Sequence, residues 1–587
     1  MIRAERTETF LVPRETLWEQ LSNTERLNRE LNLPAVRLAF EPRAEGGAFV
    51  KGSAKFGPVT IHYTEEPYRW VKPLLWWVQR LPENGPVSAY RVGVQLEESA
   101  EGTRVTAWSE AEPRGVVGKA LARRIVDSSV NGLLRACREK PTAPVLLLPT
   151  PGMPRPESAK QGGLLPWRER LEKQGIEGSI AGRLLGFLLE AHAEEVVDFR
   201  PFALADRWQE DRRTVLKACL LAVRVGALEL HWRLLCPACR GVGGSVESLA
   251  SLTPESAHCA SCNIRFGPAF DRDVEVCFSV APALRQAADG AATYCLGGPH
   301  RSRHLLLQWY LLPGQREPVP LTLPPGTYRL RSPQTPEPQE LTLPLTEQLA
   351  LGGLVTLTPK GFLSHATFPV LLRLESLQWR EDAATAAAVT ALAEFRRHFG
   401  SEVLAPGMEL DVRQIAILFT DLKGSTKMYA QRGDAPSYAT VREHFSTLAG
   451  LMEQHHGSVI KTIGDAVMAV FADPADAIRA ALAIQGQPSS LVIKVGLHAG
   501  PALAVGANGT LDYFGQTVNV AARIQQRSLG GDIVLTEELA ARYPELLDGA
   551  AQESFTVTLR GTGEETPLRR VFAHASGYPR ARRKEAP

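Results

Sequence analysis

The chain has 587 residues, with 66 basic and 64 acidic side chains and a net charge of +2. At roughly 100–200 residues per domain, this length implies about three to five domains. Apolar residues make up 44% and charged residues 22%, enough to build packed cores, which excludes disorder throughout. The near-neutral balance excludes a global field that would draw the chain onto nucleic acid or an anionic membrane.

The N-terminus, MIRAERTETFLVP, lacks the apolar stretch of a secretory signal. No run of about 18 uncharged apolar residues occurs, so no membrane span is expected. Lys217, Arg224, Glu229 and Arg233 interrupt the apolar Val215–Leu235 stretch. Four of the eight cysteines form two Cys-x-x-Cys pairs. This usage predicts a reducing, cytoplasmic setting with a metal site rather than a disulfide scaffold.

Residues 1–140 open with a strand (Glu5–Val12), followed by helical patterns at Glu15–Leu21 and Glu25–Leu31. Alternating runs at Val59–Tyr63, Tyr90–Leu96 and Thr103–Trp108 predict strands, and Val116–Cys137 predicts a long amphipathic helix. This α+β order, with its LWEQLSN…LNREL stretch, resembles the START-like (helix-grip) ligand-binding family. The resemblance implies a curved sheet under the last helix and, as one alternative, an apolar ligand there; the other is a packed domain that mediates contacts.

Residues 141–162 form a linker, with six prolines between Pro141 and Pro156. Helices are expected near Arg168–Lys173, Gly182–Glu190, Leu204–Gln209 and Arg212–Val225, followed by a strand-like LELHWRLL. That order predicts a winged-helix-like unit over 163–233. Arg212, Arg213, Lys217 and Arg224 could serve DNA, but the helix is not strongly basic, so protein contact is favoured and nucleic acid is not expected as a partner.

A zinc-ribbon-like, four-cysteine element spans 234–268. Cys236-x-x-Cys239 is followed after 19 residues by Cys259-x-x-Cys262. Four thiolates at this spacing can close a tetrahedron around one zinc ion, and with no open position the site reads as structural. Cys137, Cys219, Cys277 and Cys295 lie in or beside apolar runs and are expected as buried free thiols.

A β-rich region covers 269–382, with turns at Pro324–Gly326 and Pro333–Pro338. An Ala-rich helix, Ala383–Phe399, begins a helical signalling linker over 383–409. The elements FRPFALADRW, HWRLLCPACR and EFRRHFGSEVL resemble an uncharacterised domain found ahead of bacterial cyclase domains; this covers about 165–400 and implies association with a cyclase.

From Gln414 the chain becomes most informative. Ile415–Phe419 reads as a buried strand that ends in Thr420-Asp421-Leu422-Lys423-Gly424-Ser425-Thr426. Gly424, Ser425 and Thr426 suit a turn and a helix N-cap, whose free N–H groups can face phosphate. Val459–Ile463 and Ala466–Phe471 flank Gly464-Asp465, which predicts a hairpin with Asp465 at its tip. In a βαββαβ arrangement Asp421 and Asp465 are neighbours, and two carboxylates there suit Mg²⁺.

FTDLKGST, KTIGDAVMAVF and FGQTVNVAAR resemble, in order, the motifs of the class III nucleotidyl cyclase catalytic domain over 410–575. The resemblance implies a ferredoxin-like βαββαβ fold, within a multidomain α+β chain, and a homodimer with sites shared between chains. It places two Mg²⁺ or Mn²⁺ ions at Asp421, Leu422 and Asp465. Asn519 would orient the ribose and Arg523 would stabilise the charged transition state; four apart, they share a helix face. Lys461 and Asp512 match the residues that select adenine, which implies ATP as substrate and cyclic AMP as product. A guanylyl or dual-specificity cyclase and a non-catalytic nucleotide-binding regulator remain as alternatives. Where the family often carries a late lysine for the triphosphate, this chain has Arg560. His498 is expected as an ordinary strand residue, and the basic tail over 576–587 as solvated.

Overall fold

The computed structural model describes residues 1–138, 164–191, 195–253, 257–286, 295, 297–302, 304–320, 323–335, 337–345, 347–377, 383–405, 408–489, 491–507, 509–559 and 565–572. The proline-rich linker, Arg560 and the basic tail lie outside the described residues. No helix among the described residues is long and apolar enough to cross a membrane.

The N-terminal unit runs β1 (Ile2–Phe10), α1 (Arg14–Ser22), α2 (Thr24–Glu30), β2 (Val36–Pro42), β3 (Ala48–Phe56) and β4 (Val59–Glu65). It continues through β5 (Arg69–Val71), β6 (Leu75–Pro82), β7 (Val87–Ser99), β8 (Gly102–Pro113) and α3 (Gly115–Arg138). Burial alternates along β8, as period-2 side chains on a half-covered sheet require. Gly118, Ala122, Val126, Val130, Leu133, Leu134 and Cys137 mark the buried stripe of α3, at helical spacing. Leu17, Trp18, Trp70, Trp76, Val94 and Leu134 fill the space between the helices and the sheet. The order of elements is the one the sequence implied, and its interior is packed.

The helical unit comprises α4 (Leu164–Lys173), α5 (Gly178–Glu190), α6 (Pro201–Trp208) and α7 (Arg212–Arg224). β9 (Leu228–Leu235) follows, between β10 (Val242–Val246) and β13 (Val274–Val280), with the small hairpin β11 (His258–Cys259) and β12 (Ile264–Arg265) inserted. Arg212 pairs with Asp206, Arg213 with Asp476, and Lys217 with Glu394. Three of the four cations considered for DNA are therefore held by carboxylates of the same chain.

The β-rich region contains β14 (Leu305–Leu311), β15 (Arg316–Pro318), β16 (Gly326–Arg331), β17 (Gln339–Leu343), β18 (Leu349–Leu351), β19 (Val355–Thr358), β20 (Gly361–Ser364) and β21 (Val370–Ser376). β14 pairs with β5, so one twelve-stranded sheet runs from the N-terminal unit into this region. The pairing joins segments more than 230 residues apart, which no local pattern signals.

The expected single helix over 383–399 is not formed. Two short helices stand there, α8 (Ala386–Thr390) and α9 (Ala393–His398), with Leu392 extended between them. Thr385 instead bridges to Glu275, and the Ala384 carbonyl accepts from Val276 N at 2.9 Å. Pairing to β13 overrides the helix propensity of the alanines.

The C-terminal elements are β22 (Glu409–Leu422), α10 (Ser425–Arg432), α11 (Asp434–Gln454), β23 (Gly457–Ile463), β24 (Ala466–Phe471), α12 (Pro474–Gly486) and β25 (Ile493–Ala507). Then come β26 (Thr510–Phe514), α13 (Gln516–Gln525), β27 (Ile533–Thr536), α14 (Glu537–Arg542), β28 (Ala551–Thr558) and β29 (Glu565–Phe572). The strand order β23-β24-β22-β25 is antiparallel throughout, which is the expected ferredoxin-like βαββαβ arrangement.

β22 is buried on both faces. Ala416, Leu418 and Leu422 meet Leu448, Met452 and Ile478 of α11 and α12. Ile415, Ile417 and Phe419 join a core that reaches through Ala387, Val389 and Phe395 to Trp232 and Leu216. A fragment of residues 408–587 strips that second cover from Leu410, Val412, Leu511 and Tyr513. We expect it to show a lower thermal-unfolding midpoint and more self-association than 383–587, measured by calorimetry and size-exclusion chromatography.

Candidate functional site

β22, an inner strand, carries Asp421 to its C-terminal end. The β22–β24 ladder ends at Thr420↔Val467, so Asp421 and Asp465 both lie just beyond its last pair. Gly464 takes a left-handed φ of 65° in the hairpin loop, a conformation glycine adopts without steric cost. Asp465 Oδ2 is buried and has no hydrogen-bond partner among the described residues. Asp421 is half-buried, and its side chain forms no hydrogen bond or ion pair among the described residues. A buried carboxylate oxygen without a partner is costly unless a cation satisfies it, so this pair fits a hard divalent ion. Leu422 is buried, with its backbone paired to Ile493.

Gly424 is the N-cap of α10, with a left-handed φ of 81° and no side-chain cap. Ser425 and Thr426 lie inside the first turn instead of capping it. The first-turn N–H groups of α10 therefore lack a capping side chain, leaving a terminus suited to an anion.

Lys461 on β23 and Asp512 on β26 are in contact. Lys461 Nζ donates to Asp512 Oδ2 at 2.6 Å, and Tyr513 N donates to Asp512 Oδ1 at 2.8 Å. The ammonium also lies 5.2 Å from the Phe514 ring centroid. A donor and an acceptor side by side can read a two-point hydrogen-bonding edge. On α13 the buried face is Thr517, Val520, Ala521, Ile524 and Gln525. Asn519 is exposed and Arg523 is half-buried on the other side, and Arg523 forms no ion pair among the described residues. His498 sits on β25 opposite Ile417 with Nδ1 3.4 Å from Thr536 Oγ1, and burial holds its imidazole below the usual range.

His444 was not singled out from the sequence. It is buried on α11 with Nε2 unpartnered among the described residues, and the Asp465 carboxylate acts on it electrostatically. Burial lowers its pKa more than that carboxylate raises it. Equally unforeseen are Thr390 and Arg396, which touch the strand that carries Asp512. Sequence spacing of more than 100 residues hides both contacts.

The second site is the four-cysteine cluster. Cys236, Cys239, Cys259 and Cys262 are all buried and their sulfurs lie within 4.8 Å of one another. A tetrahedral Zn–thiolate site has sulfurs about 3.8 Å apart. Ala238 N faces Cys236 Sγ, Gly241 N faces Cys239 Sγ and Cys262 N faces Cys259 Sγ, each at 3.4 Å. Arg240 and Asn263, directly after each pair, take left-handed φ values of 58° and 51°. From β21, the buried Arg373 donates Nη1 to Cys262 Sγ at 3.1 Å. Four thiolates around one divalent ion leave negative charge in the interior, and this guanidinium offsets it. The donors thus fit a metal ion that is tied into the large sheet. Cys137, Cys219, Cys277 and Cys295 are buried free thiols, as expected.

Comparison with known proteins fits this geometry. Residues 409–566 match the family model of the adenylate and guanylate cyclase catalytic domain. Residues 170–293 match a family of unknown function, DUF5939. The latter spans the helical unit, the four-cysteine element and β13 as one stretch. An uncharacterized protein of Mycobacterium tuberculosis is 32% identical over 191 residues, covering 29% of this chain and 31% of that protein. The chain thus spans about a third of the length of that relative. The crystal structure of the adenylyl cyclase CyaB from P. aeruginosa is 18% identical, covering 28% of this chain and 95% of that one, with a TM-score of 0.25. The guanylate cyclase domain of RhGC from Catenaria anguillulae, in complex with GTP, is 20% identical, covering 27% and 97%, with a TM-score of 0.25. The family match alone assigns residues 409–566 to the adenylate and guanylate cyclase catalytic-domain type.

Purified protein is expected to contain one zinc per chain by elemental analysis. Cys262→Ser is expected to drop this below about 0.1 per chain and to lower the thermal midpoint, because three thiolates hold the ion far less tightly.

Proposed function

We propose that the chain is an adenylate cyclase that converts ATP to 3′,5′-cyclic AMP and pyrophosphate in a homodimer. The observation that carries this reading is the Lys461–Asp512 contact within a domain of cyclase type. Adenine presents an acceptor at N1 beside the donor 6-amino group. Lys461 would donate to the first and Asp512 would accept from the second. Guanine presents the opposite edge, leaving both side chains unpaired, and a polar mismatch of this kind rejects strongly.

Asp421 and Asp465, with Leu422 beside them, would hold two Mg²⁺ or Mn²⁺ ions, a role supported by the partnerless Asp465 oxygen. When bound, such ions supply charge for the triphosphate and acidify the ribose 3′-hydroxyl. The α10 N-terminus at Gly424–Thr426 would bind phosphate oxygens through backbone N–H groups. Asn519 would orient the ribose so that its 3′-oxygen stands in line with the α-phosphorus. Arg523 would offer a guanidinium where negative charge grows. Both side chains stand off the buried face of α13, as groups that act across a two-fold interface must. Arg560 would add a forked donor to the triphosphate.

The upstream modules would regulate the dimer, since they share a core with the catalytic sheet. An apolar ligand for the N-terminal unit remains part of this proposal, although its core is well filled.

Incubation with ATP and Mg²⁺ or Mn²⁺ is expected to yield cyclic AMP, read by chromatography; GTP is expected to yield far less product. Arg523→Ala is expected to lower kcat by about 10²–10³-fold, the usual cost of losing one transition-state donor. Exchanged mixtures of Asp421→Ala and Arg523→Ala chains should recover one intact site per mixed dimer. Failure of verified mixed dimers to regain activity would refute the shared site. Lys461→Glu combined with Asp512→Cys is expected to reverse the ATP:GTP preference in competition assays.

A further inference from the structure

We infer that Thr390, Arg396 and Tyr513 clamp the base-reading strand, so that the segment upstream of the catalytic domain sets how sharply the site discriminates between purines. This rests on the reading of Lys461 and Asp512 as the purine-contacting pair and adds three positioning residues to it.

Asp512 lies in β26 between two anchored neighbours. On one side, Arg396 of α9 donates Nη2 to the Leu511 carbonyl. On the other, the Tyr513 hydroxyl lies 3.2 Å from Thr390 Oγ1 in α8, and both residues are buried. Thr390 Oγ1 also lies 2.7 Å from the Ala386 carbonyl, which can only accept. A threonine hydroxyl has one hydrogen, so Thr390 donates to Ala386 and Tyr513 donates to Thr390. Arg396 further donates Nη1 to the Thr390 carbonyl at 3.4 Å, which closes the bridge. The carboxylate between these anchors is oriented by Tyr513 N and Lys461 Nζ.

The clamp is held from behind. Phe395 packs edge-on to Trp232 at 5.9 Å, Lys217 pairs with Glu394, and Trp232 Nε1 donates to Glu402 at 3.2 Å. α8 and α9 thus sit between the unit of unknown function and the strand beside the purine edge. Two-point reading of a base demands sub-ångström placement of both side chains, and among the described residues β26 pairs with β25 alone, so its far side needs support.

The test uses the full-length chain. Tyr513→Phe removes only the hydroxyl, and Arg396→Gln removes the charge and the fork. Each is expected to raise KM for ATP and lower the ATP:GTP preference by about three- to tenfold, the worth of one buried hydrogen bond, with kcat altered less than twofold. Arg396→Lys should recover part of the preference. Amide exchange over Thr510–Phe514 should quicken in both variants, while Ala466–Phe471 stays protected. Arg213→Ala, which cuts the separate contact to Asp476, should leave the preference unchanged. An unchanged preference in Tyr513→Phe overturns the inference even if exchange rises, and so does an equal loss in Arg213→Ala. If Arg396→Gln does not fold, Tyr513→Phe decides alone. A wild-type chain that does not distinguish the two nucleotides overturns the adenine reading instead, and exchange over Thr510–Phe514 then decides whether the clamp exists.

Discussion

The catalytic sheet has two apolar faces, and neither can be left to water. Along β22 the side chains alternate: Ala416, Leu418 and Leu422 to one side, Ile415, Ile417 and Phe419 to the other. Helices α11 and α12 of the catalytic domain cover the first side. The second side is covered by α13 together with α8, α9 and the unit that contains Trp232. At roughly 25 cal/mol per Å² of apolar surface buried, this shared layer stabilises both partners. The upstream region is therefore part of the catalytic domain's packing as well as a neighbour in sequence.

The same constraint explains the charge placement. Arg213, Lys217 and Arg396 would be ordinary surface cations on isolated domains. Here each meets a carboxylate or carbonyl from another part of the chain. The four-cysteine element acts comparably further back: Arg373 joins Cys262 to the large sheet, and Gln308 links Arg373 to the N-terminal unit through the Tyr68 carbonyl. These contacts link the four-cysteine element to the first sheet.

Much of the candidate site was legible because its chemistry lies in short stretches. A strand end, a two-residue hairpin and one helix face set where Asp421, Asp465, Asn519 and Arg523 each stand, through local geometry. The resemblance of the surrounding motifs pointed to Lys461 and Asp512 together, but their direct contact, between residues 51 apart, comes from the structure. Other parts were hidden. Period-3.6 reasoning made Ala383–Phe399 one helix, because alanine propensity is local while the competing pairing to β13 comes from over 100 residues away. Gly424, Ser425 and Thr426 read together as a turn and N-cap, and the structure gives the N-cap position to Gly424, with no side-chain cap.

Sequence alone determined the strand–helix order of the catalytic region, the two Cys-x-x-Cys knuckles and the identity of the acidic, basic and amide groups at the candidate site, since each depends on neighbours a few residues apart. Tertiary structure alone decided that β5 and β14 join two regions in one sheet, that Asp465 keeps a buried oxygen unpartnered, and that Thr390 and Arg396 brace the strand beside Asp512. These outcomes depend on which distant surfaces meet, and burial of apolar area, being non-directional, leaves no periodic mark in the chain to announce the partner.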